Sequence, residues 1–434
     1  MVLLCFTVYS NRKLETKRGE KEMKMFKRDL FPETCAAVIV AVVTALVLVC
    51  GSASPAFAQS LNLVYVNSNI SGANGACTSN CNSVVGYSND GAGNLTLLPN
   101  APYLTGGAGV AWTPGQPDAL VDADQELIVN AAGTLLLTVN AHSNTFAVFT
   151  INSDGSLTAV NGSPFASGGQ EPISLGLANN VLNGNVSMLV VVNKNSDPLQ
   201  TGGVPNYTTF RVSSTGAVST NPSGSTFNLA AGVSPAQALM PHAGRNFVGV
   251  EFNSGNVAAY SFSTAGVITQ QSTSTPTGST QVLGAALHPK LGGFYVALPT
   301  QAKIAVYGWS SSAGLLGYKA EVVSPGKAPC WSVINSAGTR LYVANTPAST
   351  ITVYDISNPA SPKQLQYFTV TGVGALPTNM AFDTTGNYLY ATDRVNVLHV
   401  MNVLSDGTLS ETITPVALPT PAGSAPVGIA TLSK

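Results

Sequence analysis

The sequence predicts an all-β fold, a seven-bladed β-propeller of four-stranded antiparallel blades in which the C-terminal strand completes blade 1. Its 434 residues are 45% hydrophobic and only 9% charged, with 42 Gly and 26 Pro, as in large β domains and unlike disordered or coiled-coil chains. A unit of two strands and a Gly turn recurs along the chain at steps of 44 to 62 residues, which is a propeller-blade period with insertions. Helical apolar spacing over a dozen residues occurs only near the N-terminus.

The turn of each unit reads G-x-[L/V/I], at Gly93-Asn94-Leu95, Gly155-Ser156-Leu157, Gly216-Ala217-Val218, Gly266-Val267-Ile268, Gly314-Leu315-Leu316 and Gly407-Thr408-Leu409; Ser361 to Leu365 takes its place in the sixth. Ahead of each turn lies a strand such as Leu63 to Asn67, Leu135 to Asn140, Met188 to Asn193, Phe247 to Phe252, Phe294 to Ala297, Leu341 to Asn345 and Tyr388 to Asp393. Seven copies predict seven blades, each bounded by the Gly-rich turns that hairpins need. The first copy begins at the second strand of its blade. Pro426 to Thr431 reads like the innermost strands Thr378 to Phe382 and Trp331 to Ile334, so the tail is expected to supply the missing strand and remove a sheet edge.

Residues 1–58 are predicted to be an N-terminal extension and signal peptide, and 59–434 the propeller. Eight of the 19 basic residues fall between Arg12 and Arg28, Ala36 to Val49 is almost wholly apolar, and Ala56-Phe57-Ala58 presents small residues at a signal-peptidase spacing. Export to the periplasm or outside, with cleavage after Ala58, is therefore expected. The alternative of an uncleaved anchor needs a longer run, since spanning a bilayer takes about 18 to 20 apolar residues. Met23 and Met25 are alternative starts. From Gln59 onward 11 Lys/Arg face 15 Asp/Glu, a mildly acidic balance that excludes the basic footprint of a nucleic-acid binder.

Cys77, Cys81 and Cys330 follow the predicted cleavage site. In an oxidising compartment Cys77 and Cys81 are expected to form a disulfide stabilising by about 2 kcal/mol on the chain-entropy model, and Cys330 a buried thiol. Zinc at the pair would need a His or a second Cys pair that does not accompany it, so no metal is expected there.

Gly338-Thr339-Arg340-Leu341-Tyr342-Val343-Ala344-Asn345, followed by Thr350 to Asp355, resembles the YVTN propeller repeat. With Asn152 to Leu157 and Gly162-Ser163-Pro164-Phe165, residues 61 to 432 are similar to the 6-phosphogluconolactonase-like propellers. The resemblance implies a site at the mouth of the central channel, carrying a His and an Arg just after the Pro that opens an innermost strand and a Glu that ends a second strand. Glu251-Phe252-Asn253-Ser254 resembles the family's Glu-Leu-Asn-Ser, so Glu251 carries over. Pro172-Ile173-Ser174 and Pro235-Ala236-Gln237 have neither His nor Arg.

Opening a lactone needs a base to activate water and a donor or cation for the developing oxyanion. Glu251 is the candidate base, with Lys303 and Arg394 as electrostatic partners, while Glu171, His142 and Asn345 are the candidate ligand-binding residues. His242 and His288 fall in turns of the opposite face and His399 within a third strand, so no histidine triad is expected. Nucleotide, dinucleotide and haem signatures are absent, no cofactor is expected, and Asn193 to Asp197 lacks the spacing of a known calcium loop. Long insertions at Ser68 to Tyr87 and Asn193 to Tyr207 share the predicted functional face, where recognition usually resides. The chain reads first as a monomeric binding or interaction module for an unknown small molecule or envelope protein, with no membrane contact after cleavage. Its rival reading is a hydrolase of sugar lactones.

Overall fold

Alternating apolar residues and Gly turns fold into seven antiparallel sheets in the computed structural model, which describes residues 60–71, 77, 79–111, 122–220, 225–241, 244–421 and 424–434. Ser60–Lys434 forms one compact unit. The expected signal and its cleavage site, together with His242, lie outside the described residues.

The second strands of blades 1 to 7 are Asn62–Asn67, Leu135–Asn140, Val186–Asn193, Asn246–Glu251, Gly293–Leu298, Arg340–Asn345 and Tyr388–Asp393, as the repeats predict. The innermost strands are Val427–Ser433, Leu127–Val129, Pro172–Leu182, Pro235–Leu239, Leu283–Leu287, Pro329–Ile334 and Pro377–Phe382. Second strands are buried on both faces because each blade lies against the next. Leu63 and Tyr65 of blade 1 pack with Leu136 and Phe149 of blade 2, and Leu137 and Val139 of blade 2 with Leu189 and Val191 of blade 3. Covering both faces makes these strands near-continuous apolar runs.

The recurring tyrosine of the repeat also joins blades. Tyr65 Oη donates to the Gly155 carbonyl in the turn of blade 2 (2.7 Å), Tyr295 Oη to Pro359 O in blade 6 (2.9 Å), and Tyr342 Oη to the Gly407 carbonyl in the turn of blade 7 (2.6 Å). Tyr390 of blade 7 meets Asn89 of blade 1, so the same link crosses the closure of the ring. Each neutral hydrogen bond of this kind contributes about 1 kcal/mol. The strand and the turn of the repeat are thus two halves of one contact between neighbouring blades.

Closure follows the sequence expectation. Val427–Ser433 pairs antiparallel with Asn62–Asn67, in the register Leu63 with Leu432 and Tyr65 with Ala430, and the backbones of Leu61 and Lys434 exchange hydrogen bonds of 2.7 and 3.0 Å. The strand also packs against the innermost strands of blades 7 and 2, which completes the circle. Gly428 makes this approach with φ +65°, where a Cβ would lie 2.9 Å from the Glu126 Cβ and the Leu127 N. Cys77 and Cys81 are disulfide-bonded, and Cys330 is a buried thiol outside the disulfide that donates to Ala328 O at 3.1 Å.

Candidate functional site

Pro235 pairs with Glu251 and Pro377 with Asp393, so innermost strands begin on the face where second strands end. This is the upper face, where chemistry was expected. Asp122 to Glu126, entering blade 2, crosses the axis of the channel here. Within that segment the Asp124 N–H donates to Ala236 O of blade 4 (3.2 Å), Gln125 O accepts from the Leu175 N–H of blade 3 (3.0 Å), and Ala123 O accepts from the Trp331 indole of blade 6. Arg394 Nη2 of blade 7 pairs with Asp122 Oδ1 at 2.8 Å, and Lys194 Nζ of blade 3 donates to Asp122 O at 2.8 Å. Four blades thereby stitch the segment across the mouth.

The charges here sit out of water. Asp122, Glu126, Glu171, Lys194 and Arg394 are all buried, and a buried charge is tolerated when it is paired and hydrogen-bonded. Arg394 also lies over the Trp331 ring, 5.2 Å from its centroid, and Lys194 over Phe252 at 4.9 Å. Burial pushes the Lys194 ammonium below its ordinary value, against the pull of Glu171, Asp122 and Glu126. Burial raises the Glu171 carboxyl to about 7, partly offset by the Lys194 charge and by hydrogen bonds from Ser196. Glu171 accepts from the N–H of Ser196, the Ser196 hydroxyl (3.0 Å) and the N–H of Asp197 (2.8 Å), and so anchors the loop that follows the second strand of blade 3. Its left-handed backbone belongs to the blade plan: φ is +56° at Glu171, +51° at Ser234 and +47° at Ala328, each just before the Pro that opens an innermost strand.

The residues expected to form one catalytic group do not come together. Glu251 is buried and accepts from Tyr260 Oη (2.6 Å) and Ser254 Oγ (3.2 Å), with no cation among its hydrogen-bond partners. Burial raises its carboxyl above the usual range, opposed by those hydroxyls. Lys303, its expected partner, instead pairs with Glu321 on the outer strand of blade 5 at 2.5 Å. That correction has a simple cause: Lys303 opens the third strand, where the register aligns it with the outer strand Leu315–Val323. Arg394 does reach the mouth, but it serves Asp122.

Among the expected ligand-binding residues, Glu171 anchors a loop and His142 Nδ1 pairs with Asp197 Oδ2 at 2.8 Å on the same face. Asn345 is fully buried in blade 6, where its amide donates to Thr350 Oγ1 (3.2 Å) and Thr352 Oγ1 (2.9 Å) and its oxygen accepts from Ser324 Oγ (3.0 Å). Such a saturated side chain ties strand to strand, which corrects the ligand-binding expectation for Asn345. His399, assigned only to a third strand, bridges Asp393 (3.0 Å) and Glu411 (2.7 Å). Asp122, Glu126, Lys194 and Trp331 were not singled out for the mouth. Lys194 and Arg394 each follow directly on the end of a second strand, a shared position that aligning the repeats exposes.

Together the closed ring and its charged segment define a seven-bladed β-propeller with residues 122–126 held as a plug across the upper mouth. No protein-family model matches the chain, and no curated protein matches it in sequence. Solved structures do. A protein described as a candidate 6-phosphogluconolactonase from Bacteroides uniformis aligns with TM-score 0.65 and 14% identity over 86% of this chain and 100% of that one. A similarly described protein from Bacteroides fragilis aligns at 0.63 and 14%, over 87% and 100%. The periplasmic gluconolactonase of Pseudomonas aeruginosa aligns at 0.62 and 14%, over 86% and 99%. The chain shares the fold of these lactonase-type propellers. No helix among the described residues is long and apolar enough to cross a membrane.

Proposed function

We propose that the chain is an exported propeller that works by binding, as a recognition module, rather than by hydrolysing a lactone with Glu251. The observation that carries this reading is that the charged side chains available for catalysis at the upper mouth are engaged with one another or with the plug: Arg394 with Asp122, Lys194 with Asp122 O, Glu171 with the 196–197 backbone, and Glu251 with Tyr260. A hydrolytic site needs a base beside an oxyanion donor with room for the reacting carbon.

The loop Lys194 to Pro205 supports the binding reading. It is held by the His142–Asp197 pair, by Gln200 Nε2 donating to His142 O (3.1 Å) and by Asn195 Nδ2 donating to Gly203 O (3.1 Å), and it exposes Leu199 and Val204. A pre-ordered loop with apolar tips loses little entropy on docking. Export is supported by the basic, apolar and small-residue order of residues 24–58 and is compatible with a periplasmic protein of the same fold. The hydrolase reading retains one favourable observation, a Glu251 carboxyl that burial raises above the usual range, the direction that favours a general base.

The deciding assay sets the purified protein and Glu251→Gln against sugar lactones, glucono-δ-lactone and its 6-phosphate among them. Binding alone gives no turnover above buffer in either protein. Turnover that disappears in Glu251→Gln would replace this reading with the hydrolase. Loss of capture of one defined envelope protein in Leu199→Asp, with the fold intact, would support the loop as the recognition surface.

A further inference from the structure

Beneath the plug the central channel continues as a cavity of about 440 Å³, a size typical of small-molecule sites. Its lining is polar and apolar in about equal parts, with Leu127, Leu239, Leu287, Ile334, Met380 and Phe382 on the apolar part and Asp124, Gln125, Gln237 and Asn379 forming a polar end under the plug. That end contains groups that the fold does not satisfy. Asp124 accepts the Gln125 N–H (2.9 Å), and no other hydrogen bond to its carboxylate is made among the described residues. The neighbouring Glu126, whose side chain is not part of the lining, accepts the Asn379 amide at 3.1 and 3.3 Å and a backbone hydrogen bond. Ser332 Oγ, in a residue 4% exposed that lines the same cavity, has no hydrogen-bond partner among the described residues.

Burying the Ser332 hydroxyl without a partner, beside a half-buried Asp124 carboxylate that accepts a single hydrogen bond, costs free energy that an apolar filling would avoid. The cations acting on Glu126, Arg394 and Lys194, lie on the plug side and are bound to Asp122. The arrangement therefore lacks a positive charge and hydrogen-bond donors on the cavity side. A hard metal ion would call for six or more oxygen ligands, and no group of three acidic, His or Cys side chains suited to a metal exists among the described residues. The apolar part of the lining below Asp124 calls for hydrocarbon.

We propose that the lower channel binds an organic ammonium ion, a primary amine with a hydrocarbon body, whose –NH₃⁺ donates to Asp124 with Ser332 and Asn379 as further acceptors. Three donors on one small head match acceptors converging from blades 2, 6 and 7, and the tail runs down the apolar walls. The site lies on the opposite side of the plug from the Lys194 to Pro205 loop and stands whether or not that loop recognises a partner. Burial raises the Asp124 carboxyl to about 7, opposed by the Gln125 N–H, with Gln237 and Asn379 around it; Glu126, raised by Asp124 and lowered by Arg394, is the neighbouring charge. Deprotonation of Asp124 then strengthens amine binding between pH 6 and pH 8.

Isothermal titration of the intact protein with n-hexylamine, n-hexanol and hexanoate at pH 8 tests the site. Hexylamine should bind at least about tenfold more tightly than hexanol, which is about 1.4 kcal/mol, and hexanoate should not bind. Asp124→Asn should bring hexylamine to the level of hexanol, and Leu287→Trp, which fills the channel without touching the acids, should abolish binding of both. No hexylamine binding to the unmodified protein, equal affinity for hexylamine and hexanol, or full affinity in Asp124→Asn would each overturn the proposal. Should Asp124→Asn not fold, the hexylamine–hexanol contrast and Leu287→Trp decide.

Discussion

The two ends of the central channel treat charge in opposite ways. At the upper end Asp122, Lys194 and Arg394 answer one another within a few ångströms, and Trp331 and Phe252 cover the cations. A few ångströms of chain further on, Asp124 lines the cavity with no cation among its hydrogen-bond partners. Acidic and basic residues gathered at a propeller mouth invite a catalytic interpretation, but Asp122, Lys194 and Arg394 form a structural seam. Both ends hold buried polar atoms without a partner among the described residues, Glu171 Oε1, Asn193 Oδ1 and Ser234 Oγ above and Ser332 Oγ below, so an acid without a cation of its own, rather than charge itself, marks the end that has capacity for a ligand.

Substitutions should separate the ends by the sign of their effect. The largest loss is expected for Arg394→Met, which leaves the buried Asp122 carboxylate without its guanidinium and should cost about 3–5 kcal/mol in urea unfolding. Next comes the pH response of His399 beside the seam. Burial alone would lower its pKa, but hydrogen bonds to Asp393 and Glu411 outweigh this and raise it to about 9. Because the folded value exceeds the unfolded one, its stabilisation is complete below about pH 6.5 and lost as pH rises through 9, on the order of 3 kcal/mol. His399→Gln should flatten the thermal-stability profile over that window.

Asp124→Asn should act in the other direction. With its folded pKa raised by burial to about 7, the native state retains a proton that the unfolded chain releases, so this residue lowers stability as pH rises from about 4 to 7. Thermal unfolding at pH 8 should show a gain of about 1–2 kcal/mol in the variant, and a loss there would mean that the lower end is satisfied after all. The smallest expected effect is Trp331→Phe, which keeps a ring under Arg394 but removes the donor to Ala123 O, at about 1 kcal/mol by denaturant titration.

The scaffold was legible because its determinants are local and repeated. Tyr295, Tyr342 and Tyr390 each stand third in their second strands and Tyr65 fourth in its own, and the tail from Pro426 reads as an innermost strand before any pairing is known. The site was legible only in part. Glu251 and Arg394 could be assigned to the upper face from strand ends, but their partners could not: Tyr260 reaches Glu251 from the next strand, and Asp122 reaches Arg394 from 272 residues away. Lys303 and Glu321 meet through the register of a hairpin, which spacing alone leaves open. Asp122 to Glu126 carries no strand or turn signal that would send it across the axis, since that course exists only once blades 3, 4, 6 and 7 have closed around it.

A double-mutant cycle on Asp122→Asn and Arg394→Met, read by urea unfolding at pH 7, measures whether this pair holds the plug across the channel. A coupling energy of about 2 kcal/mol or more is expected of a buried pair in one network. Additivity within about 0.5 kcal/mol would mean that the two side chains act independently and do not hold the plug across the upper mouth.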